Sequence, residues 1–221
     1  MIIAIDGPSG AGKSTLGKML AKEFGLLYLD TGAMYRAAAL AVLRARVPFE
    51  DSEKVAEIAA NSKIDLTGEP SSMKVLLDGE DISSEIRTPE VATAASVVSA
   101  IPAVRRIMVE HQRTIGNSAP NGCVLEGRDI GSVVFPDADI KFFLTATPEA
   151  RARRRFAEDS AKGLAASYDY TLREINDRDA RDVSRPDSPL TIADGATVID
   201  TSGLDLNEVF QTMLENVRTA R

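Results

Sequence analysis

The feature that most constrains this chain is a glycine-rich turn set between an apolar run and a helical pattern. The turn, Gly7-Pro8-Ser9-Gly10-Ala11-Gly12-Lys13-Ser14, satisfies the phosphate-binding pattern G-x-x-x-x-G-K-S/T. Residues 2–6 before it are apolar and β-branched, as in a buried strand, and the apolar residues of 16–24 recur at helical spacing. This strand–loop–helix context predicts a P-loop that binds a nucleoside triphosphate, against the alternative of a chance glycine-rich turn.

The residue types in this loop suit the chemistry of a triphosphate. Glycines let backbone N–H groups converge on phosphate oxygens, and the helix behind the loop adds the positive end of its dipole. We predict that residues 7–14 together with Thr15 bind ATP. Lys13 would place a point charge at the β- and γ-phosphates, and the Ser14 hydroxyl would ligate Mg²⁺.

Short apolar runs alternate with helical patterns along the rest of the chain. The further strand-like runs are 26–29, 124–126, 140–144 and 197–199, and Thr147-Pro148 signals a helix start. This alternation predicts an α/β fold with a doubly wound, five-stranded parallel sheet and flanking helices. The length of 221 residues suits a single P-loop domain, 1–221.

The segment 63–91 breaks this alternation. Strand-like runs at 63–66 and 74–77 flank a turn that contains glycine and proline, and Asp78-Gly79 is a strong turn signal. We predict a small antiparallel β insert here, with a disordered surface loop as the alternative, because segments this polar can stay flexible.

The segment 151–186 concentrates arginines on two predicted helices around Gly163. They are Arg151, Arg153, Arg154, Arg155, Arg178, Arg181 and Arg185. Such charges are usual on a solvated helix face. Positive charge on two helices joined by a flexible tip is also what a lid needs to close over phosphates. Behind a P-loop, we favour the mobile, arginine-rich lid.

The overall charge limits the partners of the chain. The formal net charge is -7, which argues against sequence-independent binding to nucleic acid, since that affinity comes from counterion release by Lys and Arg. The single cysteine, Cys123, excludes an intramolecular disulfide, and we find neither a signal peptide nor an apolar run long enough for a bilayer. We expect a cytoplasmic monomer that binds small molecules, with no nucleic-acid and no membrane partner.

Three classes of P-loop protein need to be separated. A GTPase switch normally carries an Asn-Lys-x-Asp run, which this chain lacks, and nothing here demands the partner arginine of an oligomeric motor ATPase. A small-molecule kinase needs gathered positive charge and a lid. The only histidine, His111, lies in a segment of mixed charge that we interpret as surface, so no catalytic base is obvious. A phosphate acceptor needs none, because its attacking oxygen is already ionised.

Five motifs taken together resemble those of bacterial cytidylate kinases. They are Asp6-Gly7-Pro8-Ser9-Gly10-Ala11-Gly12-Lys13-Ser14-Thr15, Asp30-Thr31-Gly32-Ala33-Met34-Tyr35-Arg36, Glu85-Ile86-Arg87-Thr88-Pro89-Glu90-Val91, Glu126-Gly127-Arg128-Asp129-Ile130-Gly131 and Asp177-Arg178-Asp179-Ala180-Arg181-Asp182. The resemblance covers essentially the whole chain and places the insert on the acceptor side. It implies transfer of the γ-phosphoryl group of ATP to CMP and dCMP. A shikimate- or gluconate-type kinase and a nucleotide-binding regulatory protein with little turnover are the rival interpretations.

The same resemblance assigns roles motif by motif. The predicted catalytic residues are Lys13, Arg128, Arg151, Arg154 and Arg181. The acceptor phosphate is assigned to Arg36, Arg128 and Arg185 with Thr31 and Tyr35 nearby, the base to Ser96, Arg105 and Asp129, and the sugar to Arg178 and Asp182. A carboxylate such as Asp129 suits the exocyclic amine of cytosine, whereas uracil would present an acceptor there. Three alternatives remain: Ser96 as a packing residue, Arg106 in place of Arg105, and Tyr35 as a core aromatic.

Overall fold

The computed structural model describes residues 1–161, 163, 165, 167–185 and 187–219. In chain order the elements are β1 Ile2–Asp6, α1 Lys13–Phe24, β2 Leu27–Asp30, α2 Thr31–Ala45, α3 Ser52–Asn61, β3 Ile64–Thr67, β4 Lys74–Leu77, β5 Glu80–Asp81, a 3-10 turn Glu85–Arg87, α4 Pro89–Val98, α5 Pro102–Ser118, β6 Cys123–Gly127, a π-helical turn Ile130–Val134, β7 Ile140–Thr145, α6 Pro148–Ala161, α7 Tyr168–Ser184, β8 Thr197–Asp200 and α8 Leu206–Thr219. Five strands form a sheet in the order β2-β6-β1-β7-β8, and all pairs are parallel. The predicted five-stranded parallel sheet is therefore confirmed.

Helices cover both faces of this sheet. Side chains alternate along β1, so that Ile3 and Ile5 enter one core with α1 and α8, while Ala4 enters the other with α2 to α5. Burial on both faces explains why these strands are short continuous apolar runs rather than alternating ones. The doubly wound arrangement predicted from the sequence is confirmed.

The segment after α2 contains more structure than the sequence pattern predicted. Strands β3, β4 and β5 form a separate antiparallel sheet, which confirms the predicted insert and excludes the disordered loop. Strand β5 and helix α3 were not predicted, and the range 63–91 runs into α4. Arg44, at the end of α2, ties the insert to the domain through Glu80 at 2.7 Å and Glu85 at 2.9 Å.

Helices α6 and α7 pack together in the segment predicted as a lid. Thr147 caps α6 by accepting a hydrogen bond from the Ala150 N–H at 3.2 Å, as its start signal predicted. Gly163 lies between the two helices with φ of 71°. Four residues of the segment, Lys162, Leu164, Ala166 and Pro186, and the final two, Ala220 and Arg221, lie outside the described residues. Movement of this segment stays a prediction.

Helices α4 and α5 meet at a sharp break. Pro89 begins α4 and Pro102 begins α5, in the first-turn position where a missing N–H costs nothing. No single helix in the described part of the chain is long and apolar enough to cross a membrane, and this one pair, bent by 101°, meets the length and composition criterion only when its two helices are joined.

Candidate functional site

A cleft of about 790 Å³ opens at the carboxyl ends of the parallel strands. Asp6 at the end of β1 and Gly127 at the end of β6 are paired in register, so the loops that follow them begin side by side. This edge is where open α/β sheets bind ligands. The predicted P-loop and the predicted acceptor motif therefore face one cleft, although more than a hundred positions separate them in the sequence.

The P-loop forms the floor of one half of this cleft. Residues 9–15 line it, while Gly7 and Pro8 lie behind the lining. Gly7 has φ of 143°, and a Cβ there would stand 2.0 Å from the Leu144 carbonyl oxygen, so only glycine fits. Gly12 begins α1 in the left-handed region, and the first turn of α1 has neither a side-chain cap nor an acidic residue. The first N–H groups of α1 are thus available to an anion.

Three carbonyl groups of this loop accept hydrogen bonds from side chains. The Pro8 carbonyl accepts a hydrogen bond from Lys13 Nζ at 2.8 Å, and the Ser9 carbonyl accepts one from Arg151 Nη1 at 3.2 Å. The Ala11 carbonyl accepts one from the Thr201 hydroxyl at 3.2 Å. These three bonds hold the backbone of the loop in one conformation before any ligand binds.

Arginines line the other half of the cleft. Those on the predicted acceptor side are Arg36, Arg87, Arg128, Arg155, Arg178 and Arg185. Burial and, next, the charge of the neighbouring Arg128 lower the pKa of Arg178 to about 10. Burial likewise lowers the pKa of Arg36 and of Arg185. Cations crowded together in this way favour a bound anion that neutralises them.

Among these arginines, Arg185 gives the most direct indication of a bound anion. Its Nε and Nη2 atoms are buried and donate no hydrogen bond to any residue that the structure describes. The carboxylate oxygen Asp182 Oδ1 stands 3.8 Å from Nη2, beyond hydrogen-bonding distance. Buried guanidinium donors normally have partners, so these two point to an anionic ligand as the partner.

The predicted base-reading residues meet at the back of the acceptor half. Arg105 and Asp129 are 2% and 5% exposed and form an ion pair through Nη2 and Oδ2. The Arg105 guanidinium also lies 5.4 Å from the centre of the Tyr35 ring. Arg106 is exposed and outside the cleft lining, so the geometry selects Arg105 of the two. Tyr35 and Ser96 line the same cleft.

Comparison with known proteins agrees with this geometry. Residues 3–219 match the family described as Cytidylate kinase.

The chain belongs to the cytidylate kinase family.

This confirms the resemblance drawn from the five motifs. The chain is 52% identical to the cytidylate kinase of Caldanaerobacter subterraneus subsp. tengcongensis, over 98% of this chain and 94% of that protein. It is 46% identical to the cytidylate kinase of Pelotomaculum thermopropionicum, over 99% and 96% respectively. Among solved structures, an uncharacterized protein from Eubacterium ventriosum superposes with a TM-score of 0.54 at 12% identity, over 99% and 98% of the two chains, which supports the fold alone.

Asp182 has a partner that the sequence did not reveal. In this member of the cytidylate kinase family, Asp182 Oδ2 accepts a hydrogen bond from Arg128 Nε at 2.7 Å. Burial alone would raise the pKa of the Asp182 carboxyl, but the charge and the hydrogen bond of Arg128, together with the charges of Arg185 and Arg178, hold this pKa below its usual range. The residue predicted to contact the sugar thus also fixes the predicted phosphate arginine, and it does so from α7.

Two of the predicted lid arginines are anchored rather than free. Arg151 is only 2% exposed and donates to the Ala146 and Ser9 carbonyls and to both oxygens of Asp179. Arg154 donates to the hydroxyl and the carbonyl of Thr201. These bonds use four of the five N–H groups of the Arg151 guanidinium. Direct contact of Arg151 with the transferring group stays a prediction.

Arg181, which was predicted to be catalytic, and Arg155, which was named only as a lid arginine, lie differently with respect to the cleft. Arg181, predicted to be catalytic, is exposed and outside the cleft lining, where its Nη1 donates to the Ser96 hydroxyl at 3.0 Å. Arg155 lines the cleft with a side chain 56% exposed, and its one carboxylate partner, Asp159, is 3.5 Å away. The run of arginines on α6 gave no signal that separates Arg155 from Arg153, which is exposed and outside the lining.

Carboxylates at the ends of β2 and β6 lie beside the P-loop. Asp30 caps α2 through the Ala33 N–H at 3.0 Å, and Glu126 is buried and accepts a hydrogen bond from the Tyr28 hydroxyl. Burial raises the pKa of Glu126, and the charge of Asp30 adds to this effect. Both line the cleft with the exposed Ser14.

Among the described residues no group of three or more His, Cys, Asp or Glu forms a metal cage. Mg²⁺ held mainly by phosphates and water needs no such cage.

The Lys13 ammonium is held in an unusual environment. Burial lowers its pKa, and the positive charge of Arg128 lowers it further. A bound triphosphate would reverse both effects by supplying negative charge at short range. Lys13 is the one predicted site residue whose protonation should change when a donor nucleotide binds.

We therefore predict proton uptake when ATP binds at about pH 8, where a lysine with an ordinary pKa would already be protonated. Calorimetric titration in two buffers of different ionisation enthalpy measures the uptake. The Lys13→Arg variant should show none, because arginine stays charged throughout. Lys18→Met, which changes another lysine of the same cleft, is the matched control and should retain it. Undiminished uptake in Lys13→Arg would contradict the assignment.

Proposed function

We propose that this protein transfers the γ-phosphoryl group of ATP to CMP and dCMP, giving ADP and CDP or dCDP. The observation that carries the proposal is the joining, in one cleft, of a preorganised P-loop and a cluster of arginines that surrounds the buried Arg105–Asp129 pair. The relatives that are named cytidylate kinases support the choice of acceptor.

The donor half would hold the triphosphate by its backbone. N–H groups of the loop and of the first turn of α1 would bind phosphate oxygens, and Lys13 would neutralise the β- and γ-phosphates. The residues present fit Mg²⁺, since Ser14 is exposed and lines the cleft together with the carboxylates of Asp30 and Glu126. Ser14 would hold the ion, which would neutralise phosphate charge when bound.

The acceptor half would align the attacking phosphate. Arg36, Arg128 and Arg185 would bind its oxygens, which fixes an in-line approach and offsets the repulsion between two anions. The reaction needs no base because the acceptor oxygen is already ionised. His111 accordingly stands outside the cleft lining. Asp129 would accept from the cytosine amine while Arg105 keeps the carboxylate oriented.

Closure of the lid, 151–186, would exclude water that could otherwise take the phosphoryl group. The arginine exposed in the cleft from α6, Arg155, is the lid residue best placed to follow the transferring charge. The proposal keeps the cytoplasmic monomer expected from the sequence.

A coupled ADP-release assay tests the reaction. Mg·ATP is supplied with CMP, dCMP, UMP, AMP, shikimate or gluconate as acceptor. We expect fast turnover with CMP and dCMP and slow turnover with UMP. A Lys13→Met variant controls for contaminating kinases, because it lacks the charge at the transferring group. Turnover with shikimate or gluconate alone, or with no acceptor, would contradict the proposal and favour the rival interpretations.

A further inference from the structure

A single π-helical turn, Ile130–Val134, links β6 to β7 directly after the acceptor motif. Arg128 and Asp129 immediately precede it, and the Asp129 carbonyl accepts hydrogen bonds from the Val133 and Val134 N–H groups, so the turn helps to fix the backbone that carries both side chains. Turns of this type are rare and occur mostly at functional sites. What holds the turn in place therefore bears on acceptor binding.

A carboxylate holds the first end of the turn. Asp6 Oδ1 accepts a hydrogen bond from the Ile130 N–H at 2.8 Å, and Asp6 Oδ2 accepts one from the Gly131 N–H at 2.7 Å. Asp6 is 3% exposed and is the last residue of the central strand β1. A buried carboxylate that accepts two backbone N–H groups at the start of a helical turn satisfies donors that the turn itself leaves unpaired.

A guanidinium holds the other end of the turn. Arg113 of α5 donates from Nε to the Val134 carbonyl at 3.0 Å and from Nη2 to the Val133 carbonyl at 2.9 Å. Its remaining Nη1 donates to Glu110 at 2.9 Å. A cation on the last carbonyls complements the carboxylate on the first N–H groups. Two residues from different elements thus cap the same turn with opposite charges.

We propose that Asp6 and Arg113 are positioning residues for acceptor binding, because they clamp both ends of the turn Ile130–Val134 and so hold Arg128 and Asp129 in the cleft. Neither residue lines the cleft, so neither would touch the acceptor itself. The inference rests on the proposed function, since it assumes that Arg128 and Asp129 bind the acceptor. Displacements of about 1 Å in such groups are enough to cost a large part of the rate.

The test compares acceptor and donor binding in Asp6→Asn and Arg113→Met. Asn keeps the size of Asp but sets an NH₂ group against a backbone N–H, and Met keeps the apolar stem of Arg without its donors. In each variant we expect the KM for CMP to rise about tenfold and the preference for CMP over UMP to fall, with the Kd for ATP nearly unchanged. Asp6 directly precedes Gly7 of the P-loop, whereas Arg113 contacts the opposite end of the turn. The Arg113→Met variant therefore separates an effect through the turn from an effect through Gly7.

The matched controls are a carboxylate that contacts the same strand and an arginine of the same helix. Asp139 accepts a hydrogen bond from the Ile2 N–H at 2.6 Å, at the opposite end of β1 from Asp6, and Arg106 is an exposed arginine of α5 outside the cleft lining. Asp139→Asn and Arg106→Met should leave the KM for CMP unchanged.

Equal losses of ATP and CMP binding, or an unchanged KM for CMP in a folded variant, would overturn the proposal. If Asp6→Asn fails to fold, the Arg113→Met result decides alone. Wild-type turnover with CMP is measured beside the variants. Absence of that turnover would reject the proposed function itself, independently of the clamp.

Discussion

Replacing Arg128 with alanine is expected to lower kcat for CMP phosphorylation by about a thousandfold, the range found when an arginine that stabilises a transferring phosphoryl group is lost. Arg128 is only 16% exposed on its side chain, and its charge lowers the pKa of both Lys13 and Arg178. It therefore stands where the donor and acceptor halves of the cleft meet. The variant would remove positive charge from the place where negative charge develops during transfer.

The Kd for ATP should change much less than kcat, by roughly threefold, because the loop N–H groups and Lys13 remain. Steady-state kinetics with a separate ATP titration distinguish the two quantities. Arg128→Lys should restore part of kcat, since lysine supplies the positive charge but not the planar guanidinium group that binds phosphate through two donors. Arg153→Ala, which removes an exposed arginine outside the cleft lining, is the charge-matched control. Equal losses in turnover and in ATP binding would count against the role.

The Arg128→Ala variant also leaves Asp182 without its 2.7 Å hydrogen bond. Part of the measured loss could then come from a buried carboxylate without its partner rather than from the missing contact with the acceptor. A double-mutant cycle with Asp182→Asn separates these contributions, because the neutral amide leaves no unpaired buried charge when Arg128 is removed. If Arg128 acts on the acceptor, most of the loss in kcat should persist in the Asp182→Asn background.

The helices and strands whose signals lie in residues close together in the sequence could be predicted. The bounds of α1 follow from Gly12 and Gly25, which take left-handed conformations at its two ends, and the buried strands follow from their apolar runs. Helix α3 was missed because only Val55 and Ala59 of its ten residues are buried, which leaves a weak periodic signal. Strand β5 has two residues, too few for any pattern.

Site residues that belong to a local sequence motif could be predicted. Site features that depend on contacts between residues far apart in the sequence could not. The π-helical turn is held by Asp6, 124 positions away from Ile130, and no local pattern reports such a hydrogen bond. Arg151 looked like a free lid arginine because the sequence shows neither the Ser9 carbonyl nor the Asp179 carboxylate that occupy it. Thr201 was missed for the same reason, since its contacts with Ala11 and Arg154 join separate ends of the chain.

Replacing Asp129 with alanine is expected to reduce the preference for CMP over UMP from about a hundredfold to less than about tenfold. The Asp129 carboxylate can accept from the cytosine amine, whereas the carbonyl of uracil would face it as a second acceptor. Its other oxygen is held by Arg105, so the carboxylate cannot rotate away to admit uracil. Without Asp129, the buried Arg105 guanidinium would be left with donors that suit the carbonyl of uracil.

The ratio of kcat/KM for CMP to that for UMP measures this preference. Asp129→Asn should also lower it, because an amide presents a donor or an acceptor according to its orientation. Asp137→Ala, an exposed carboxylate outside the cleft lining, should leave the ratio unchanged. An unchanged ratio in Asp129→Ala would remove Asp129 from base recognition. The discrimination would then have to come from the shape of the pocket around Tyr35 and Ser96, because those two side chains line the same half of the cleft.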